Sequence, residues 1–230
     1  MAECSAMTQT LFGNHLDIHS GGFDLKFPHH TNEIAQSESY NQCEHHGWCS
    51  HWLHTGQLFI DGLKMSKSLK NFIKIKDYLT NNEISNQPAK DFRIFLLQHK
   101  YSSELHFSNN RIHEAMVYRQ KIDNFLAMVS TLEHSHKQRY KYNAMSLELL
   151  RELCEVKAKV ILALSDDINT PLALGLISDL VGKAVVYLHQ FAATESPIEP
   201  LIEIRNYVSD FFHKLGVLKD KSNAELLKVI

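Results

Sequence analysis

From Ser108 to about Lys214 the chain keeps a single period, and that period constrains the fold more than any other feature. Ile112, Met116, Ile122, Phe125, Val129 and Leu132 recur at near-helical spacing behind Ser108, a residue suited to capping. A polar, histidine-rich break over 134–142 leads to Ser146 and a second amphipathic segment to about Leu164. Asn169-Thr170-Pro171 opens a third through Phe191, and Ser196-Pro197 a fourth that ends near Lys214 with Gly216 as its stop. Four helices of this length predict an antiparallel bundle whose apolar stripes are core rather than a cofactor site. The basic and aromatic group Lys137, Arg139, Tyr140 and Lys141 reads as a solvated loop, with RNA contact as the alternative.

The first hundred residues follow a different rule. Leu16-Asp17-Ile18-His19 alternates and runs into Ser20-Gly21-Gly22, which predicts a strand delivering its last residue to a glycine turn. Strand ends of this kind bind ligands in open α/β sheets. Glycines there let a backbone approach a sugar or phosphate, and Asp24 beyond them can accept from ribose hydroxyls. A plain turn with a surface aspartate would look the same in sequence. Trp52 to Ile60 reads as one strand containing Gly56, and residues 73–79 and 91–97 as helices separated by the polar linker 80–88. The expected fold class is therefore α/β followed by an all-α bundle.

Between strand and helix lies the densest charge in the chain. Asp61-Gly62 is a turn signal, and Lys64-Met65-Ser66-Lys67-Ser68-Leu69-Lys70 packs three lysines and two serines into seven residues. Ammonium groups act as mobile point charges while hydroxyls and backbone N–H groups add directional donors, a combination suited to polyphosphate. Charge alone favours a plain solvated surface loop.

Metal ligands are a second possibility. Pro28 suits a first helical turn, and a helix continuing to about Tyr40 puts His29 and Glu33 at i and i+4 on one face. Both can then reach one Zn²⁺, with Cys4 adding a thiolate from elsewhere in the fold. A surface His–Glu pair and a small buried cysteine are the alternative. Cys43, His46 and Cys49 share a Cys-x2-His-x2-Cys spacing but sit in one polar loop with no second pair of ligands, which argues against a zinc module. The other histidines, of 15 in all, have no comparable spacing.

Composition sets outer bounds. With 24 Lys+Arg against 26 Asp+Glu the formal charge is -2, so any nucleic-acid contact rests on local patches. Four cysteines at irregular spacing in 230 residues do not read as a disulfide framework, which favours a reducing, cytoplasmic setting. The first residues have neither a basic nor an apolar leader region, and no run of eighteen apolar residues occurs, so no membrane association is expected. Cys4 comes so early that no preceding element is expected to hold it, as at a fragment boundary.

Taken together, Glu3-Cys4-Ser5-Ala6-Met7, Asp17-Ile18-His19, Gly21-Gly22-Phe23-Asp24-Leu25, Phe27-Pro28-His29-His30, Asn32-Glu33-Ile34-Ala35-Gln36 and Lys64-Met65-Ser66-Lys67-Ser68-Leu69-Lys70-Asn71-Phe72 resemble cysteinyl-tRNA synthetase, a class I aminoacyl-tRNA synthetase. Lys70, where bacterial members usually carry glycine, is similar to the eukaryotic branch. Residues 101–107 and Asp166-Asp167-Ile168-Asn169-Thr170-Pro171 extend the resemblance over most of the chain.

The resemblance implies the second half of a Rossmann-like class I catalytic fold over 1–60, a lysine loop with stem-contacting helices over 61–107, and a helical tRNA- and anticodon-binding domain over 108–230. It implies one Zn²⁺ per chain on Cys4, His29 and Glu33, taking the substrate thiolate at about 2.3 Å where a serine hydroxyl would be a far poorer ligand. It places His19 beside the bound L-cysteine, Gly21 and Asp24 at the adenosine ribose, and Lys64, Ser66, Lys67 and Ser68 on ATP, with Mg²⁺. Lys64 and Lys67 would be catalytic, and Lys67 would offset charge on the α- and β-phosphates as pyrophosphate leaves. The implied partners are tRNA(Cys), ATP and L-cysteine.

The departures shape a further expectation. The family's His-Ile-Gly-His loop and the zinc-ligating cysteine near it have no counterpart, Met1-Ala2 replaces a Trp-His-Ile lead-in, and Ser20 stands at the first of three glycines. The chain is therefore expected to be the C-terminal part of a synthetase and inactive alone. Two other readings stay open, a non-catalytic tRNA-binding or regulatory module, and the related ligase that joins cysteine to an amino sugar.

Overall fold

The computed structural model describes residues 2–42, 47–60, 62–65, 72–80, 85–135, 140–191 and 196–218. These fall into two compact units, one of residues 1–72 with 101–107, the other of 73–100 with 108–230.

The first unit is built on a βαβ crossover. Helix α1 (Ala2–Phe12) precedes β1 (Leu16–Gly22), which is followed by a short helical passage over 23–30, helix α2 (Thr31–Asn41) and β2 (Cys49–Thr55). Strands β1 and β2 pair in parallel, with His19 opposite Trp52, Gly21 opposite His54 and Gly22 opposite Thr55. Parallel pairing needs such a crossover, and it brings the carboxyl ends of both strands to one edge. Helix α2 ends at Gln42, which takes up left-handed φ of 51°. Cys4, expected to lack a supporting element, lies within α1.

The strand expected over Trp52–Ile60 is two strands in two sheets. After β2 the chain forms β3 (Leu58–Ile60), which pairs antiparallel with β4 (Leu63–Lys64) and parallel with β5 (Leu105–Phe107). Gly56 makes the break possible. A Cβ there would lie 1.8 Å from the Ser103 carbonyl oxygen, and the Gly56 N–H donates to the Tyr101 carbonyl at 2.8 Å. No side chain fits where two backbones approach so closely.

The second unit is helical. Short α3 (Ile75–Thr80) and α4 (Pro88–Leu97) precede the long helices α5 (Asn109–Ser135), α6 (Ala144–Ser165), α7 (Thr170–Phe191) and α8 (Glu199–Lys214). On α5 the buried stripe is Ile112, Ala115, Arg119, Ile122, Phe125 and Val129, a helical face interrupted by one charge. Ser108 behaves as a cap, its hydroxyl accepting from the Arg111 N–H. Helix α6 begins two residues before Ser146. Asn143 is the cap, its side chain accepting from Ser146 N at 2.9 Å while Ser146 Oγ accepts from Asn143 N at 2.8 Å. Gly216 follows α8 at φ +67°.

By length and composition Thr170–Gln190 is apolar enough to cross a bilayer, with a mean hydropathy of 1.5. Here α7 packs against α5, α6 and α8, and buries Leu174, Ile177, Leu180 and Val181. Two phenols bond carbonyls here: half-buried Tyr118 donates to the Leu174 carbonyl at 2.8 Å, and buried Tyr187 to that of Pro197 at 2.6 Å. Burial is the main cause that raises both phenols above the usual tyrosine value, Tyr187 to about 12.

Candidate metal centre

The crossover helix explains why distant residues meet. Helix α2 starts just past the edge where β1 ends, so its first turn carries Glu33 toward His19 on the strand, while His29 precedes Glu33 by one turn. Cys4 comes from α1, which packs on α2. One ligand atom each from Cys4, His29 and Glu33 lie within 4.8 Å of one another, and so do one each from His19, His30 and Glu33.

Glu33 is the centre of both groups. Only 2% of it is exposed. Its Oε1 is 3.3 Å from His29 Nε2, and its Oε2 is 3.2 Å from His19 Nε2. Oε2 nevertheless makes no hydrogen bond, so the His19 contact is one of position without alignment. A buried carboxylate with an unspent oxygen is costly unless a cation answers it. Thiolate, imidazole and carboxylate form a donor set that zinc accepts, so these residues fit such an ion.

Behind these donors stands an aromatic wall that sequence reasoning missed. His30 is 3% exposed, and its Nδ1 lies 2.8 Å from His54 Nε2. His19 packs edge-on to His30 at 4.8 Å between ring centres, and tilted against Trp52 at 4.8 Å and Trp48 at 5.6 Å. Burial, then neighbouring His19, holds His30 below the ordinary imidazole value. Burial, then Lys26 and His19, does the same to His54. Neutral rings suit the bond between them, because one nitrogen must donate and the other accept. The Pro28-His29-His30 run carried the signal, since His30 stands three residues before Glu33 and His29 four, so both share its helical face.

Other expected site residues are less gathered. Gly21 lies on β1, where a Cβ would come within 2.6 Å of His30 Cε1, so its missing side chain makes room for that ring. A Cβ on Gly22 would meet Asp24 Oδ1 at 2.6 Å, which puts the aspartate against the glycine turn. Lys64 is on β4. Ser66, Lys67 and Ser68 lie outside the described residues, as do Cys43 and His46 of the Cys-x2-His-x2-Cys group. Cys49, its last member, is a free thiol on β2.

Comparison with known proteins identifies the family. Residues 1–117 match the family described as tRNA synthetases class I (C) catalytic domain. Over 223 residues the chain is 37% identical to the cytoplasmic cysteine–tRNA ligase of Xenopus laevis, covering 94% of the chain and 29% of that protein. It is 36% identical over 229 residues to the human protein of that name, again covering 29% of it, and 34% identical over 236 residues to that of Dictyostelium discoideum, covering 34%. The chain thus spans about a third or less of the length of these relatives. Among solved structures it is similar to LeuRS of Agrobacterium radiobacter K84 in a ternary complex with tRNA and LeuAMS, with a TM-score of 0.63 at 14% identity over 89% of this chain and 27% of that one. It is also similar to Mycobacterium tuberculosis methionyl-tRNA synthetase in complex with methionyl-adenylate, with a TM-score of 0.59 at 17% identity over 84% of this chain and 38% of that one. At such identities the likeness is one of fold.

Proposed function

Because this chain belongs to the family of class I (C) tRNA synthetase catalytic domains, we propose that it is the portion of a cysteine–tRNA ligase that selects L-cysteine and closes over ATP. The ligase activates cysteine as cysteinyl-adenylate and transfers it to tRNA(Cys), in the cytoplasm. Residues 1–60 supply half of the nucleotide-binding fold, 61–107 the lysine loop and stem-contacting helices, and 108–230 an antiparallel bundle that binds tRNA.

The observation that carries this reading is the convergence of Cys4, His29 and Glu33 ligand atoms within 4.8 Å, from α1 and from both sides of the start of α2. A bound zinc ion would supply a Lewis acid that discriminates a thiol from a hydroxyl. The protein's share is positional. Glu33, buried and short of a partner, fixes negative charge at the site, while His29 directs its imidazole from one helical turn away. His19, held between Trp48, Trp52 and His30, lines the side from which the amino acid approaches. Gly21 and Asp24 receive the ribose at the strand end, and Lys64, Ser66, Lys67 and Ser68 neutralise the Mg²⁺-bound triphosphate.

These 230 residues contain no His-Ile-Gly-His sequence, so on their own they are expected to give no cysteine-dependent ATP–pyrophosphate exchange. Metal analysis tests the selective half of the proposal. The wild-type protein should hold one zinc per chain through chelator competition, and Cys4→Ala should hold metal more weakly and with no thiolate band in its Co²⁺ spectrum; equal chelator resistance in both would sink the assignment.

A further inference from the structure

We propose that Glu33 serves a second, thiol-free metal site, made with His19 and His30, onto which a divalent transition-metal cation moves when the Cys4 thiolate is unavailable. This goes beyond the cysteine-selecting site proposed above, with which it shares Glu33 alone.

The two oxygens of Glu33 face different donors. Oε1 is directed at His29, 3.3 Å away, and Oε2 at His19, 3.2 Å away. The second oxygen is buried and without a hydrogen bond, so the side chain that points into the His19–His30 group has unspent acceptor capacity. Three ligand atoms from His19, His30 and Glu33 already lie within 4.8 Å, and a modest closing of side chains brings them to one ion. His30 also has the outer partner that a ligating histidine needs. With Nδ1 bonded to His54 Nε2 at 2.8 Å, its Nε2 is the nitrogen left to offer, and the ring is fixed by packing against Gly21. Two imidazoles and a carboxylate suit Co²⁺, Ni²⁺ or Zn²⁺, whereas the Cys4 group prefers softer ions. Loss of the Cys4 thiolate leaves the first group two donors, His29 and Glu33, against three in the second, so a single cation then favours the His19–His30–Glu33 group.

The test is Co²⁺ titration of the full 230-residue protein followed by absorption spectroscopy, with circular dichroism checking the fold. Cys4→Ala should bind one Co²⁺ with visible ligand-field bands and no thiolate-to-cobalt charge-transfer band. Adding His19→Gln to Cys4→Ala should abolish that binding. Adding His54→Ala instead should weaken it about 10–100-fold, the usual effect of losing an outer-shell partner. Cys4→Ala that is folded and binds no Co²⁺, or binds it equally well with and without His19, would overturn the proposal. A wild-type spectrum lacking the thiolate band would count against the Cys4 site instead, leaving the two inferences separable.

Discussion

Asp91, wholly buried on α4, meets Arg119 of α5 at 2.5 Å between Oδ1 and Nε, across 28 residues of sequence. The Ser85 hydroxyl donates to the other oxygen of Asp91, and Arg119 also reaches Asp123 at 2.8 Å and Asn86 at 3.3 Å. The network is satisfied on both sides, which is the condition under which a buried pair persists. Removing Asp91 takes from Arg119 its buried counter-charge and leaves it the more exposed Asp123. Asp91→Ala is therefore expected to cost about 3–5 kcal/mol in urea unfolding, while Asp91→Leu combined with Arg119→Met should cost less than the sum of the single changes.

Metal should act as a stabilising ligand. With Glu33 buried between two imidazoles, zinc at a hundred times its dissociation constant adds about 2.7 kcal/mol to the folded state. Thermal unfolding with and without a chelator measures this. Glu33→Gln should remove the zinc-dependent rise in Tm, since an amide cannot answer either group of donors, while leaving the chelated protein no less stable.

A methyl group at position 21 has nowhere to go. Gly21→Ala would place Cβ 2.6 Å from His30 Cε1, so the ring must move and its bond to His54 must lengthen. The expected cost is about 1–3 kcal/mol of stability, typical of overpacking. Metal affinity measured on the same variant should fall in parallel.

Tyr187 links stability to alkaline pH. Its phenol, raised to about 12 mainly by burial, keeps its proton in the folded chain where an unfolded tyrosine would begin to lose it near 10. The folded state then binds more protons than the unfolded one, so this contribution is complete below about pH 10 and is lost as pH rises toward 12. Difference absorption at 295 nm should show late-titrating tyrosines whose number falls by one in Tyr187→Phe. That variant should also lose about 1–3 kcal/mol, because the Pro197 carbonyl is left without its donor.

The helical half was legible because its apolar residues repeat at the period the backbone imposes. Ile112, Ile122, Phe125 and Val129 are all buried as their spacing requires. Arg119 was not legible, because a charge in an apolar stripe makes sense only once Asp91 is known to lie opposite. The i, i+4 relation of His29 and Glu33 could be read locally, whereas their meeting with Cys4 depends on α1 packing on α2. His30 and His54 escaped notice for the same reason. Their partnership is set by the parallel register that puts Gly21 beside His54. The split of residues 52–60 into two strands was hidden too, since Gly56 is required by Ser103, far along the chain.

The path of the chain between its two units matters for anyone who would divide it. Residues 73–100 belong with the long helices, yet 101–107 return to supply β5 before α5 begins. A gene cut at the 107/108 junction would strip α5 of Asp91, Ile94 and Phe95, and leave Arg119 without its buried counter-charge. A protease nick near residue 72 would not release two pieces either, because the downstream fragment would still carry the strand bonded to Leu58–Ile60. The helical half is best expressed from residue 73, with β5 retained as a short excursion or replaced by a designed linker.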